Sequence, residues 1–373
     1  MSFIKVLDIF YNSICNEIDT DENVLKRIDK KLDFIPVRHL KSIRYIDKFH
    51  INKFIYSFFC IISFFLFPIY FLFKIRFNFK SKYLFHNKKI NMVLVADNRI
   101  ESLYKNIDVV NNSEIVFINI NQPNKDHYID INSFVSLEKI IKSYIYSIVS
   151  LFYIIFKLNR KTDFLQVYVA YDWFKTYFVL EELVNYSNNV YFSNHYDRWS
   201  TMFDFLFKKN NLVLIQHGIL PNDLTLTYKL KNLNTIYYLD EKSKKIFLQL
   251  FECTRTNFKT INLKLNLTPV ECDKKTILII GQPHSMEKEL EIINLIKDKY
   301  LVYVKPHPLY DYSKYKVSNI ELILDKDFFP KVDIALSYES TLGLEYEISG
   351  INVLWWKELS FVEIINEINK RLN

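Results

Sequence analysis

From residue 90 onward, short β-branched and aromatic runs alternate with longer stretches in which apolar positions recur at helical spacing. The runs that read as strands are Met92–Ala96, Glu114–Ile118, Leu165–Ala170, Asn189–Phe192, Leu212–Gln216 and Thr235–Leu239, then Thr276–Ile280, Leu301–Val304, Glu321–Leu324, Asp333–Leu336 and Asn352–Trp355. They are almost uniformly apolar, as strands are when helices cover both faces of a parallel sheet. A break near Asn262–Lys274 divides them into two sets. The pattern therefore predicts an α/β chain of two Rossmann-like, doubly wound domains, spanning 91–262 and 263–373, preceded by a helical, basic and apolar region over 1–90. No internal repeat and no low-complexity linker interrupts this organisation.

Within the first 90 residues the pattern changes. Residues 1–53 read as polar helical segments without the charged start, apolar run and small-residue cleavage site of a secretory signal. Phe54–Phe73 then gives twenty residues without a charge, long enough to reach across a bilayer. Basic residues flank it on both sides, Arg38, Lys41, Arg44, Lys48 and Lys53 before it and Lys74, Arg76, Lys80 and Lys82 after it, and Pro68 interrupts it. A single span expects its positive charge on one side, so a re-entrant or interfacial anchor with both ends on the anionic cytoplasmic face fits better; a full span and a buried core helix are the alternatives. The shorter apolar run Tyr144–Leu158 reads as a buried or membrane-facing helix.

Composition narrows the classes. A chain of 373 residues that is 50% hydrophobic and 24% charged can bury two cores and is neither disordered nor fibrous. Its four cysteines are dispersed, with no CxxC pair, which supports neither a structural zinc site nor a disulfide framework and suits a reducing cytoplasm. The net charge of +7 is compatible with phosphate ligands, anionic lipid or nucleic acid; the dispersed Lys and Arg and the absence of a recognised binding motif argue against nucleic acid. The four glycines all lie after residue 210, at Gly218, Gly281, Gly343 and Gly350.

Ligands of open α/β sheets bind beyond the carboxyl ends of the strands. There this chain places Gln216-His217-Gly218, Gly281-Gln282-Pro283-His284, Lys305-Pro306-His307-Pro308 and Ser337-Tyr338-Glu339-Ser340-Thr341. His217 is a candidate general base, with the helix-capping loop histidine as its alternative. Lys305 and His307, in a loop stiffened by Pro306 and Pro308, are candidates for a phosphate. Ser337, Ser340 and Thr341 can cap a helix and hold an anion at its start. Glu345, one turn later, is placed to accept from ribose hydroxyls, whereas Glu347 faces solvent. In Asn194-His195-Tyr196-Asp197-Arg198-Trp199, Asp197 either acts on an acceptor or pairs with Arg198. His284, His39, His50, His86 and His127 read as structural or surface residues. No P-loop, no GxGxxG fingerprint, no HExxH and no GxSxG motif is present, so neither a metal nor an organic cofactor is expected.

Taken together, QHGIL, IIGQPHS, VYVKPHPLYD and VDIALSYESTLGLEYEISGINVLWW resemble bacterial surface-glycan transferases of the GT-B type. The groups closest in motif order are the sialyl- and polysialyltransferases, the capsule β-Kdo transferases and the CDP-glycerol glycerophosphotransferases. The resemblance covers roughly 165–356. It implies a glycosyltransferase whose donor, CMP- or CDP-linked, meets Lys305, His307, Pro308, Ser340 and Thr341, with His217 as candidate base; Gly281, Gln282, Pro283, Ser337 and Glu345 join the donor set from their place at the strand ends, and Asp197 is a second catalytic candidate. The partners implied are a nucleotide sugar, a glycan or lipid-linked glycan acceptor of lipopolysaccharide or capsule, and the cytoplasmic surface of the inner membrane. The acidic motif of the sialyltransferases has no match, and Gln216 stands where the glycerophosphotransferases carry tryptophan, so the donor class stays open. A CDP-alcohol-dependent polyol-phosphate transferase and a non-catalytic assembly or export protein are the alternative functions.

Overall fold

The computed structural model describes residues 2–27, 45–56, 58–59, 62, 65–66, 89–97, 99–107, 114–123, 125–157, 169–261, 263–282, 285–307, 312–315 and 317–372. It divides into two units: residues 1–217 with 221–260, and 218–220 with 261–373.

The first unit is built on seven parallel strands, β1 (Ile90–Val95), β2 (Ile115–Asn119), β3 (Tyr128–Asp130), β4 (Ser187–Phe192), β5 (Asn211–Ile215), β6 (Thr235–Tyr238) and β7 (Asn257–Thr260), in the order β3-β2-β1-β4-β5-β6-β7. Every residue of β1 is buried, because the central strand is covered on both faces. The outer strands β3 and β7 escape sequence reading for the opposite reason: they are short, and the NFKT of β7 is largely solvated, so neither shows an apolar run. The helices are α1 (Phe3–Arg27), α2 (Ile100–Lys105), α3 (Leu137–Lys157), α4 (Ala170–Leu183), α5 (Arg198–Leu206) and α6 (Glu241–Leu250). Most of the expected strand Leu165–Ala170 lies outside the described residues, and Ala170 opens α4 instead.

Of the expected separate region over 1–90, the N-terminal helix packs into the first unit, and most of residues 28–88 lie outside the described residues. Val6, Leu7, Phe10, Ile14 and Ile18 of α1 are buried at three- and four-residue spacing, and Phe10 packs against Trp173 and Phe174 of α4. Several of its polar residues are buried as well, and Ser13, Asn16, Glu17 and Thr20 each have a partner. Asn16 exchanges hydrogen bonds with the backbone of Tyr228, at 2.8 and 2.7 Å, and Glu17 accepts from Arg198 Nε at 2.7 Å. A helix bound by such contacts is part of the domain. Among the described residues no helix is long and apolar enough to cross a membrane; most of Phe54–Phe73 lies outside them.

The second unit repeats the plan with β9 (Thr276–Ile280), β10 (Leu301–Lys305), β11 (Ile320–Leu322), β13 (Ile334–Ser337) and β14 (Asn352–Trp355), all parallel, in the order β11-β10-β9-β13-β14, beside a two-stranded pair, β8 (Thr268–Pro269) with β12 (Pro330–Lys331). Strand alternation sends Ile277 and Ile279 to one face, where they pack with Met286, Ile292 and Ile296 of α7 (Met286–Ile296) and Ile364 and Ile368 of α9 (Phe361–Leu372). Leu278 and Ile280 go to the other face, with Tyr346 of α8 (Thr341–Ile348). Gly350 closes α8 at φ +86°, the left-handed position that glycine occupies without a Cβ penalty, while Ile351 N–H returns to Tyr346 O at 3.0 Å.

Candidate functional site

In each sheet the strand order reverses once, between β1 and β4 and between β9 and β13, and the expected chemistry lies at the carboxyl ends of these strands and their neighbours.

In the first unit His217 follows β5. Its Nδ1 lies 2.5 Å from the carbonyl of Ser193, just beyond β4. A carbonyl only accepts, so Nδ1 carries a hydrogen, and in the neutral imidazole Nε2 then keeps its lone pair. Nε2 stands 3.5 Å from Oδ2 of Asp97, two residues beyond β1. Two acceptors facing each other at that distance mark a place for a proton or for the hydroxyl that carries it. The ring is fixed from behind: His195, 3% exposed, stacks on it with centroids 4.3 Å apart and accepts the His217 N–H at 3.1 Å through Nε2. Arg99 donates to the His217 carbonyl at 3.1 Å, and Arg99 N–H donates to Asp97 Oδ1 at 2.7 Å. With side chains 28% and 24% exposed, His217 and Asp97 can be reached by a ligand; His195 cannot. Ser193 Oγ and Asn194 Oδ1, buried at the same edge, have no hydrogen-bond partner among the described residues, a state that folded proteins rarely leave unused.

Asp97 and Arg99 were not singled out in the sequence. The signal available was their place at the end of the first strand, at the reversal of strand order. Asp197 is corrected in the other direction. It caps α5, its Oδ1 accepting from Trp199 N and Ser200 N at 2.9 and 3.1 Å, while Oδ2 accepts from Asn194 Nδ2. With both oxygens engaged and 9% exposure it positions a helix and is not placed to take a substrate proton. Arg198, the next residue, binds Glu17 through Nε at 2.7 Å. Gln216 is wholly buried and bolts β5 to its neighbours, accepting from Leu239 N–H at 2.9 Å and donating to Ser243 Oγ at 2.8 Å.

In the second unit Gly281 and Gln282 follow β9, and Gly281 N–H donates to Lys305 O at 2.9 Å. Gln282 Nε2 donates to Glu339 O at 2.8 Å, joining the loops after β9 and β13. Ser337 Oγ accepts Ser340 N–H at 3.1 Å, Ser340 Oγ accepts Leu342 N–H at 3.3 Å as the cap of α8, and Thr341 Oγ1 accepts Ile219 N–H at 3.2 Å. Each hydroxyl is used here as an acceptor, which leaves its own hydrogen to be donated. Ser337 is fully buried, whereas Ser340 and Thr341 are partly exposed at the start of the helix, so those two can present O–H groups to an anion. Glu345 lies one turn on and is partly exposed; Glu347 is exposed, as expected.

Lys305 departs from expectation. Its ammonium donates to the carbonyls of Asp325, Lys326 and Phe328 at 2.7, 3.3 and 2.9 Å and stands 4.5 Å from the centroid of the Phe329 ring. All three hydrogens are engaged, and burial lowers the pKa. It braces a loop, leaving His307, partly exposed two residues further on, as the candidate cationic contact. Pro283, His284 and Pro308 lie outside the described residues. Among the described residues no group of His, Cys, Asp and Glu could hold a metal ion.

Glu289, unmarked in the sequence because it sits between exposed Glu287 and Glu291, is fully buried in α7. Its carboxyl receives Gln282 N–H at 2.9 Å, Ser285 Oγ at 2.6 Å and the Tyr315 hydroxyl, and so moors the loop after β9. Burial raises its pKa above the ordinary 4.5, against those hydrogen bonds. A raised folded value means that its contribution to stability is full below about 4.5 and is lost as pH rises through the folded value. Glu289→Gln should therefore gain stability relative to wild type as pH rises from about 4.5 to 8; melting temperatures whose difference is flat over that range would refute the assignment.

No family model and no curated protein matches this sequence. Among solved structures, a glycosyltransferase from Rickettsia africae ESF-5 aligns over 72% of this chain and 79% of its own at 12% identity, with a TM-score of 0.40. HepE from Anabaena, in complex with UDP, aligns over 74% of this chain and 82% of its own at 9% identity, with a TM-score of 0.41. At this level of likeness, function has to be read from the site's own residues.

Proposed function

We propose that this protein is a glycosyltransferase that moves a sugar from a CMP- or CDP-linked donor onto a hydroxyl of a bacterial surface glycan, lipopolysaccharide or capsule, built on a lipid-linked acceptor at the cytoplasmic face of the inner membrane. The observation that carries the reading is the contact that orients His217, Nδ1 on the Ser193 carbonyl and Nε2 toward Asp97, at a partly exposed strand end. This geometry can take a proton from a hydroxyl as that oxygen bonds to the anomeric carbon. The bond between that carbon and the donor phosphate oxygen breaks in the same event, and the departing nucleotide keeps the electron pair. Its charge requires prearranged donors. Ser340, Thr341 and the first turn of α8 supply them in the second unit, His307 can add a cation, and Glu345 is the candidate for the ribose. The QHGIL, KPHP and SYEST motifs support the same assignment.

The test is thermal unfolding of the full chain with CMP, CDP, UDP and GDP. A nucleotide at a hundred times its dissociation constant stabilises the native state by about 2.7 kcal/mol. Stabilisation by CMP or CDP that disappears in Ser340→Ala and His307→Ala is the expected result. A response to UDP or GDP alone would overturn the cytidine donor, and no response to any of the four would overturn the transferase reading.

A further inference from the structure

Helix α3 is built the reverse of a helix at a protein surface in water. Ser143, Ser147 and Ser150 face inward and are fully buried, each hydroxyl satisfied on its own helix by the carbonyl of Lys139, Ser143 and Ser147, at 2.6, 2.6 and 2.8 Å. Ile154, on the same side, is also fully buried. The opposite side exposes Leu137, Ile141, Ile145, Phe152 and Phe156, the last at 87%. At 100° per residue these five fall within an arc of about 100° and run about 30 Å along the helix. Small residues packed against neighbouring helices with large apolar ones turned outward is the arrangement of a helix whose outer solvent is hydrocarbon.

The same unit identifies the occupant. Its described residues include a second exposed apolar set, Phe54, Phe58, Phe59, Phe65 and Leu66. The sequence around that set is strongly basic, with Arg38, Lys41, Arg44, Lys48 and Lys53 before it and Lys74, Arg76, Lys80 and Lys82 after it, against Asp47 alone. The Lys48 and Lys53 ammonium groups stand 5.6 and 5.7 Å from the ring centroids of Phe49 and Phe54, stems along apolar surface and charges at its edge. Basic charge beside outward-facing apolar residues complements a bilayer with anionic headgroups. A seam between two copies of the helix would carry charged pairs along both margins, and within this arc the only charge is that of Glu138, at one end.

We propose that the outward face of α3 lies in the headgroup–acyl boundary of a bilayer containing anionic lipid, with the helix in the membrane plane. This does not depend on the transferase reading. The full-length protein is sedimented with vesicles of phosphatidylcholine, with and without phosphatidylglycerol, and compared with an Ile141→Gln, Ile145→Gln, Phe152→Gln and Phe156→Gln variant. All four side chains face solvent, so the fold should hold, checked by an unchanged melting temperature. Partitioning onto anionic vesicles should fall at least about tenfold. Separately, Phe152→Trp should show a blue-shifted emission on vesicle addition and quenching by lipids brominated in the upper acyl chain. Wild-type protein that ignores vesicles, a quadruple variant that partitions unchanged, or an introduced indole whose emission stays that of water would each overturn the proposal. So would a variant that only lost self-association in ultracentrifugation, since the face would then belong to a second copy. Nucleotide-dependent stabilisation, measured in the same variant, reports on the transferase reading separately.

Discussion

His217→Ala should lower turnover by about 10² to 10⁴, the usual share of a positioned general base, while leaving nucleotide affinity within about twofold of wild type. The split follows from where the residue sits. His217 belongs to the end of β5 in the first unit, whereas the donor contacts proposed for Ser340, Thr341 and His307 belong to the second. Asp97→Asn should reduce turnover less, since it leaves Nε2 free and removes only the carboxylate 3.5 Å away. Near-normal turnover there would remove His217 as base, and a proportional loss of nucleotide binding would make it a donor contact instead.

The second large effect concerns stability. Gly343→Ala should destabilise the protein by about 2 kcal/mol, although alanine is the better helix former. Replacing glycine inside a helix gains about 1 kcal/mol of propensity, but overpacking a tight core costs up to about 3 kcal/mol. A Cβ at Gly343 would lie 2.6 Å from Ser337 Oγ, 2.7 Å from Ser337 Cβ and 2.9 Å from the Trp355 ring. The hydroxyl could rotate away; the Ser337 Cβ, fixed to β13, could not. Relief requires α8 to move off the sheet, and with it the Ser340 cap and Thr341, so the variant should also bind nucleotide more weakly. Gly218→Ala is the control, since its new Cβ would meet nothing closer than Thr341 Oγ1 at 3.7 Å. Urea unfolding of the two variants decides the matter: equal stabilities would show that the close approach at Gly343 is not tight.

The uneven glycine usage is legible in the sequence, and its causes differ from site to site. Gly343 lets a helix meet a strand and Gly350 supplies a left-handed cap. Apolar runs gave the central strands to within a residue or two because a strand covered on both faces has no polar positions to blur its ends. The same rule hid β3 and β7, whose outer edges meet solvent.

The sequence by itself determined the α/β class, the two sets of strands and the strand ends where chemistry gathers, since these follow from periodicity and chain order. It also determined that His217, Ser340 and Thr341 lie at such ends. What each side chain does there was decided by tertiary structure, because a hydrogen bond depends on which distant group arrives within about 3 Å. Lys305 read as a phosphate contact until three carbonyls from residues 325, 326 and 328 closed on it. Asp197 read as a reactive carboxylate but ends at the cap of α5, while Asp97, from a strand far earlier in the chain, meets the imidazole. Glu289 read as one more solvated acid until the fold buried it under the loop after β9. For α3 the sequence supplied an apolar helix, and only its neighbours decided that the serines and Ile154 turn inward and Ile141, Ile145, Phe152 and Phe156 outward.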